Sequence, residues 1–242
     1  MARFHPRPPP LAGKGGGERG RWLPTLTHSF RAGRARLWAV FACVSVLLPA
    51  GTARAQTTEN DLREFTVGML ASALPAHGYT GFACVAGSGE ALRGWADYAK
   101  CPADAAGRRE VAFRYDDDGE HETKVAGQPM RLSLLLEGDG TVNGIRMRTD
   151  PAARLFLRKR GYIFGEQVKA RYGETGWTCS EEQPSGNEEG VGGVFVREHC
   201  EKTVGIRHLV LDRELFRRRD EPLSNFTSGT SFTVYRVATK PL

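Results

Sequence analysis

The chain has none of the short motifs from which common catalytic and metal-binding chemistries are recognised. It contains no Cys-x-x-Cys pair, so the usual signal for thiol exchange or structural zinc is missing. Gly-x-Ser-x-Gly, Ser-x-x-Lys and His-Glu-x-x-His are absent as well, so neither a serine nucleophile nor a zinc protease has support. The sequence therefore predicts no catalytic, cofactor-binding or metal-binding residue.

A membrane-spanning apolar run is also missing. Residues 37–48 form an apolar run of 12 residues that ends at Pro49, whereas a spanning helix needs about 18. Arginines precede this run, and Ala-Arg-Ala at 53–55 supplies the small residues that a signal peptidase requires. The pattern predicts a cleaved signal peptide at residues 34–55 and a periplasmic or secreted protein. An uncleaved anchor is the alternative.

A basic excess is lacking once the signal peptide is set aside. The whole chain has 34 Lys and Arg against 28 Asp and Glu, a formal charge of +6. Residues 1–55 hold nine of the basic and one of the acidic residues, so residues 56–242 carry 25 and 27, or −2. A near-neutral domain has no general attraction to phosphate backbones, which argues against a nucleic-acid partner. The basic clusters at 158–160 and 217–219 are expected to be solvated, with an acidic partner or anionic lipid headgroups as the alternative.

Cysteine is sparse but even in number beyond the signal. Cys43 lies within the apolar run, which leaves Cys84, Cys101, Cys179 and Cys200. An even count in a small exported domain indicates disulfides. Three pairings are possible, and the local one, first with second and third with fourth, is predicted because a short loop separates the members of each pair.

Two stretches of the chain follow the same order of predicted elements. In the first, residues 58–74 are predicted to be a helix, because Leu62, Phe65 and Met69 recur at helical spacing. Three strands follow it, at 78–84, 94–101 and 109–115. A Gly-Asp-Gly turn then joins a hairpin of strands at 130–137 and 141–147.

The second stretch begins with Asp150 and Pro151, a helix cap followed by proline in the first turn. Gly161 and Gly165 are expected to split its helix into two short ones. Strands follow at 176–179, 193–200, 207–213 and 231–237.

Short connections between these strands exclude parallel crossovers and predict an α+β fold of two tandem units, each with one helix, one antiparallel sheet and one disulfide. The leader is rich in Pro, Gly and Arg, so it is either disordered or follows from a misassigned translation start. The expected boundaries are 1–33 for this leader, 34–55 for the signal peptide, 56–149 for the first unit and 150–242 for the second.

The order of elements around Cys84/Cys101 and Cys179/Cys200 resembles the secreted β-lactamase inhibitory protein family, and each unit resembles the small outer-membrane assembly lipoproteins. The Gly68-Met69 dipeptide is similar to the one that opens the helices of those families. The composition is also similar to that of exported proteobacterial proteins. The resemblance implies a protein-binding surface on the sheet and no catalysis.

The remaining chemistry-bearing residues are mostly read as structural. The acidic run at 116–122 has carboxylates for a hard cation but lacks the spacing of a calcium loop, so a solvated turn is expected. Each histidine is expected on the surface or in packing. Separated carboxylates such as Asp97, Glu110 and Asp212 leave an enzyme with dispersed acid/base residues as an alternative.

The leading functional hypothesis is a non-catalytic exported protein that binds another protein or an envelope component. Binding is expected through the sheet faces or the loops at 85–93 and 180–192, with Trp95 or Trp177 as a candidate anchor. The alternatives are the enzyme above and a membrane-anchored structural protein. No nucleic acid is expected as a partner, and membrane contact is expected only through an uncleaved signal.

Overall fold

The computed structural model describes residues 60–87, 89, 91–116 and 123–237. The predicted leader (1–33), the predicted signal peptide (34–55) and Cys43 lie outside the described residues. So do the start of the predicted first helix and nearly all of the acidic run at 116–122.

Both predicted units contribute strands to one antiparallel sheet. Its strands are β1 (Tyr79–Cys84), β2 (Arg109–Tyr115), β3 (Lys124–Val125), β4 (Gln128–Leu136), β5 (Val142–Thr149), β6 (Thr178–Glu181), β7 (Glu188–Glu189), β8 (Val196–Val204), β9 (Arg207–Arg218) and β10 (Thr227–Arg236). Their order is β1-β2-β4-β5-β10-β9-β8-β6, with β3 beside β4 and β7 beside β9. In each half the chain therefore runs from an edge of this order to its centre, where β5 pairs with β10.

Helical structure in the described part of the chain is confined to short segments. They are the 3₁₀ helices Ala71–Ala73, Trp95–Lys100 and Gly161–Ile163, and the α-helices α1 (Leu155–Arg158) and α2 (Phe164–Tyr172). The predicted α+β fold of two helix-plus-sheet units is therefore wrong. The described chain is mainly an antiparallel β structure, in which α2 is the only helix of more than six residues.

In the described part of the helix predicted at 58–74, which begins at residue 60, the chain instead forms turns and the short 3₁₀ helix Ala71–Ala73. The backbone N–H of Phe65 donates to the carbonyl of Leu62 (2.8 Å), and the carboxylate of Asp61 accepts the N–H of Val67 (2.9 Å). Gly68 has a φ of +94°, which no helix tolerates. Leu62 and Phe65 are buried as their spacing suggested, but a turn rather than a helix brings them to the core.

The strand predicted at 94–101 is also wrong, because Trp95–Lys100 forms a 3₁₀ helix. The Asp97 carboxylate accepts the backbone N–H of Arg93 at 3.0 Å, which favours a helical turn over an extended chain. The turn places the Trp95 ring in the core, where it is 6% exposed.

Other predictions are confirmed. The hairpin predicted at 130–137 and 141–147 is present as β4 and β5. The second helix is split at Gly161 as expected, whereas Gly165, the other expected break, lies inside α2. A Cβ at position 161 would be 3.3 Å from the Ser228 carbonyl oxygen of β10, a tight contact that favours glycine there.

The core face of the first half is filled by aromatic rings. Phe65 packs against Tyr79, Trp95 and Phe113, with ring centroids 4.8, 5.6 and 5.3 Å away. The Trp95 ring nitrogen donates to the carbonyl of Pro75 at 2.9 Å. These rings take the place that a helix was expected to fill.

The core face of the second half is covered by α2. Phe164 and Val168 of α2 are buried in the same apolar cluster as Leu209, Leu211 and Phe232. Beside them, the largely buried carboxylate of Glu198 accepts hydrogen bonds from Lys169 of α2 (2.7 Å) and Arg213 of β9 (2.5 Å). Charged hydrogen bonds therefore hold the helix to this half of the sheet.

Candidate binding face of the sheet

A row of polar side chains crosses the face of the sheet that is opposite to the core. Successive residues of a strand point to opposite faces, and the registers align one polar residue from each of six strands. The row consists of Arg131 (β4), Arg148 (β5), Ser231 (β10), Asp212 (β9), His199 (β8) and Ser180 (β6). We call it the polar row. It joins both halves of the sheet.

Two arginines stand directly opposite each other in this row. Arg131 and Arg148 are cross-strand partners of β4 and β5, and both are exposed. The Arg131 guanidinium pairs with Asp150 at 3.0 Å. Arg148 has no ion pair or side-chain hydrogen bond within the described residues. Like charges at opposed positions destabilise a sheet, so this pair is an unfavourable arrangement for structure alone.

A groove of about 320 Å³ lies over the centre of the row. Arg131 and Arg148 line one side, and Asp212 and Glu214 of β9 line the other. Because β10 lies between these strands, the backbone of 227–231 lies between the two sides. The groove therefore presents positive charge on one wall and negative charge on the other.

A second concavity of about 310 Å³ shares Asp212 and Glu214 with the first and extends along the row to His199 and Ser180. The ring of His199 contacts Asp212 through Nδ1 (2.7 Å) and Glu201 through Nε2 (3.2 Å). The hydrogen bond to Asp212 raises the pKa of His199, although partial burial opposes the shift. The protonated imidazole is thus favoured between two carboxylates.

A closed polar network on the same face flanks the row. Glu110 accepts from the Arg146 guanidinium (2.7 Å) and from the Ser133 hydroxyl (2.6 Å). Arg146 also donates to Thr233 (3.3 Å) and Tyr235 (3.2 Å). Burial lowers the pKa of the Arg146 guanidinium, but the charge of Glu110 and the contacts with Tyr235 together outweigh it, so the pKa is raised. These groups satisfy one another and stabilise the centre of the sheet.

The predicted disulfides are confirmed. Cys84 and Cys101 are bonded (S–S 2.07 Å), as are Cys179 and Cys200 (2.06 Å). The first bond ties β1 to the turn before β2, and the second joins β6 directly to β8. Each bond braces one end of the strand order, and neither lies in the polar row.

The three carboxylates of the enzyme alternative lie in separate networks. Asp97 pairs with Lys100 on a 3₁₀ helix (3.0 Å), Glu110 belongs to the arginine network, and Asp212 contacts His199. Of the candidate anchors, Trp95 is buried in the core. The Trp177 ring is partly buried, and its nitrogen donates to the Gly173 carbonyl. Neither tryptophan lies in the polar row.

Among the described residues, one group of metal-ligating side chains lies close together: Cys179, Glu198 and Cys200. Its two sulfurs form a disulfide, and its carboxylate is already bonded to Lys169 and Arg213. The group therefore has no thiolate to offer a metal ion. The acidic run at 116–122 lies almost wholly outside the described residues, as do positions 88 and 90 of the loop at 85–93.

Sequence reasoning singled out Asp212 and included Ser180 in the loop at 180–192, but it missed Arg131, Arg148 and Ser231. The sequence of β5 did contain a signal, because Arg146 and Arg148 alternate with the apolar residues Ile145 and Met147. The alignment of those positions into one row depends on strand register, which the sequence pattern does not specify between distant strands.

No family model matches this chain, and no curated protein or solved structure matches it either. Within the part of the chain that the structure describes, no helix has the length and apolar content to cross a membrane. The two disulfides are compatible with a protein that works outside the cytoplasm. The function must therefore be argued from the site itself.

Proposed function

We propose that the protein is an exported, non-catalytic binding protein that takes another protein or an envelope component on the polar row. The observation that carries the proposal is the groove with Arg131 and Arg148 on one wall and Asp212 and Glu214 on the other. Walls of opposite charge orient a partner that presents complementary groups.

The arginine pair gives this proposal its physical basis. The cross-strand repulsion between Arg131 and Arg148 is relieved when an anionic group of a partner lies between them, because guanidinium groups bind carboxylate or phosphate through several hydrogen bonds. The acidic wall at Asp212 and Glu214 then selects a neighbouring cationic group of the same partner. A partner with a single sign of charge satisfies only one wall.

Export and repetition are parts of the same proposal. Two disulfides support export, because such bonds persist in oxidising compartments, and the signal at 34–55 would direct it to the periplasm. The strand orders β1-β2-β4-β5 and β6-β8-β9-β10, both read from edge to centre, support an internal repeat. The polar row would then span the junction between the two copies.

Site-specific photo-crosslinking in the native host tests the proposal. A photoreactive amino acid replaces Ser231, within the groove, and a control protein carries it at Ala105, an exposed turn position outside the row. The Ser231 protein should form a discrete adduct that the Ala105 protein does not form. Mass spectrometry of the adduct identifies a protein or another envelope component.

The double variant Arg131→Glu and Arg148→Glu provides the decisive control. In that background the Ser231 adduct should fall on the order of tenfold, because the positive wall of the groove has become negative. An adduct that persists unchanged, or the same adduct from Ala105, would contradict the proposal. Retained thermal stability of the double variant shows that the sheet is intact.

One observation favours the enzyme alternative as a second candidate. His199 is hydrogen-bonded to Asp212 and is the cross-strand partner of Ser180, so an imidazole, its orienting carboxylate and a hydroxyl share the row. The imidazole can act as a base once the pH exceeds its raised pKa. A panel of ester and amide substrates tests it. Hydrolysis that His199→Ala and Ser180→Ala each abolish would establish this reading, and hydrolysis that survives both would dismiss it.

A further inference from the structure

A second surface lies on the segment that joins β5 to α2. Among the described residues, eight large hydrophobic side chains are exposed, and three of them lie in this segment: Leu155 (48%), Phe156 (63%) and Ile163 (36%). The other five are isolated from one another along the chain. Single exposed apolar residues are ordinary, whereas a group of them marks a contact site.

Unpaired cations share this segment. Residues 151–165 contain four basic residues and no Asp or Glu. Arg158 donates to the carbonyl of Phe226 at 3.2 Å. Arg154, Lys159 and Arg160 are exposed, and none has an ion pair or side-chain hydrogen bond in the described part of the chain. We call residues 154–163 the basic–apolar patch.

The patch is held in place from beneath. The carbonyl of Gly161 accepts a buried hydrogen bond from the Thr230 hydroxyl at 2.8 Å. Ala153 and Phe164, which flank the patch, are both buried. The exposure of Leu155 and Phe156 is therefore a property of a segment that is anchored to the sheet on both sides.

We infer that the basic–apolar patch docks on an anionic lipid surface, with Phe156 and Leu155 entering the headgroup region. Leu155 and Phe156 are consecutive in one helical turn, so they project about 100° apart and form a convex wedge. Apolar wedges surrounded by Lys and Arg suit the plane of a membrane interface, where anionic headgroups attract the cations.

This inference rests on the envelope location in the proposed function but not on the polar row. It differs from the expectation that membrane contact would come only through an uncleaved signal. The near-neutral balance of residues 56–242 gives no general attraction to anionic lipid, so the patch itself must supply the affinity. A vesicle experiment with purified protein therefore tests it without reference to the partner of the polar row.

Flotation with vesicles of phosphatidylglycerol and phosphatidylcholine measures the binding, and pure phosphatidylcholine vesicles measure its dependence on charge. The triple variant Arg154→Gln, Lys159→Gln and Arg160→Gln should bind the anionic vesicles more weakly at low salt. Its affinity for them should fall about fivefold for each cation removed. Phe156→Ser should lose about tenfold, because a buried aromatic side chain is removed. High salt should weaken the binding of the unaltered protein.

Matched variants elsewhere on the surface separate the patch from total charge and apolarity. Lys100→Gln, Arg218→Gln and Arg219→Gln remove the same charge at exposed positions, and Leu223→Ser removes a side chain that is 77% exposed. These control variants should bind as the unaltered protein does. Equal losses in the patch and control variants would overturn the inference.

A site-specific probe tests whether position 156 itself enters the lipid. Phe156→Trp should give extra fluorescence that brominated lipids quench. Leu223→Trp should also give extra fluorescence, but brominated lipids should not quench it. An unquenched Phe156→Trp signal on bound vesicles would overturn the inference. The inference would also be overturned if the protein bound soluble polyglutamate but not vesicles, and if the patch variants lost that binding. An acidic protein would then be the partner.

Discussion

The two halves of the sheet share a strand order but are covered by different chemistry. In the first half, Phe65 and its neighbouring rings fill the core face, and no α-helix covers them in the described chain. In the second half, α2 covers the core face and is held by the hydrogen bonds of Glu198. A sheet of this order therefore accepts either an aromatic cluster or a charged helix as its cover.

Both halves of the sheet are needed to form the polar row. Arg131 and Arg148 belong to the first half, and Asp212, His199 and Ser180 belong to the second. The pairing of β5 with β10 brings the two groups together. Residues of both halves share one hydrophobic core, and the candidate site likewise exists only where the halves meet.

Removal of one aromatic ring is the change with the largest expected effect. Phe65 is fully buried against three other rings, so Phe65→Ala should lower the free energy of unfolding by about 4 kcal/mol. The matched change Phe164→Ala in α2 should cost about 3 kcal/mol, because Phe164 borders a small cavity and loses fewer contacts. Urea unfolding measures both. The reverse order would contradict the assignment of the first core to its aromatic cluster.

The second largest expected effect concerns the two disulfides, which should differ in how readily they are reduced. Replacement of either cystine by two alanines should cost about 3 kcal/mol, since the closed loops are similar in length. Mild reduction should distinguish them: Cys84 and Cys101 are both buried, whereas Cys179 is exposed. Alkylation and mass spectrometry during reduction should find the second bond opened first. Earlier reduction of the Cys84–Cys101 bond would contradict the expectation that burial protects the disulfide of the first half.

The stabilisation of α2 on the second half of the sheet by Glu198 should depend on pH. Burial opposes ionisation of Glu198, but the hydrogen bonds from Lys169 and Arg213 outweigh it and hold the pKa of this carboxyl below its ordinary value near 4.5. A lowered folded-state pKa stabilises the protein above pH 4.5, and this contribution is lost as the pH falls through the lowered value.

Glu198→Gln should therefore cost about 2 kcal/mol at neutral pH and progressively less in acid. Thermal unfolding as a function of pH measures this difference. Glu182→Gln, at a carboxylate that is 69% exposed, is the control and should change little at any pH. A pH-independent loss at Glu198 would show that the ionised form does not hold α2.

The smallest expected effect concerns the polar row itself. The hydrogen bond from Asp212 raises the pKa of His199 above its ordinary value of 6.5. The corresponding stabilisation is complete below pH 6.5 and disappears as the pH rises through the raised value. Asp212→Asn should lower the pKa of His199 in an NMR titration. The control Asp220→Asn should leave the pKa of His199 unchanged. An unchanged titration would remove Asp212 as the partner of His199.

Local pattern located several elements but not the fold class. A Gly-Asp-Gly turn located the hairpin of β4 and β5, alternating apolar residues located β2, and glycine at 161 located the break between the helices. Two local patterns misled, at 58–74 and 94–101. In the first, residues at helical spacing are buried through a turn, and in the second, Asp97 stabilises a 3₁₀ turn. In both places packing of the aromatic core overrides the local preference.

The sequence by itself determined the hairpin at the centre of the chain and the polar character of alternate positions in β5, and it favoured the local cystine pairing among three, because each depends on neighbours in the chain. Only the tertiary structure decided which polar residues share a row. Arg146 and Thr233, for example, are hydrogen-bonded although they lie 87 residues apart. The register between such distant strands is set by how two buried faces pack together, and a shift of one residue would turn the row into the core.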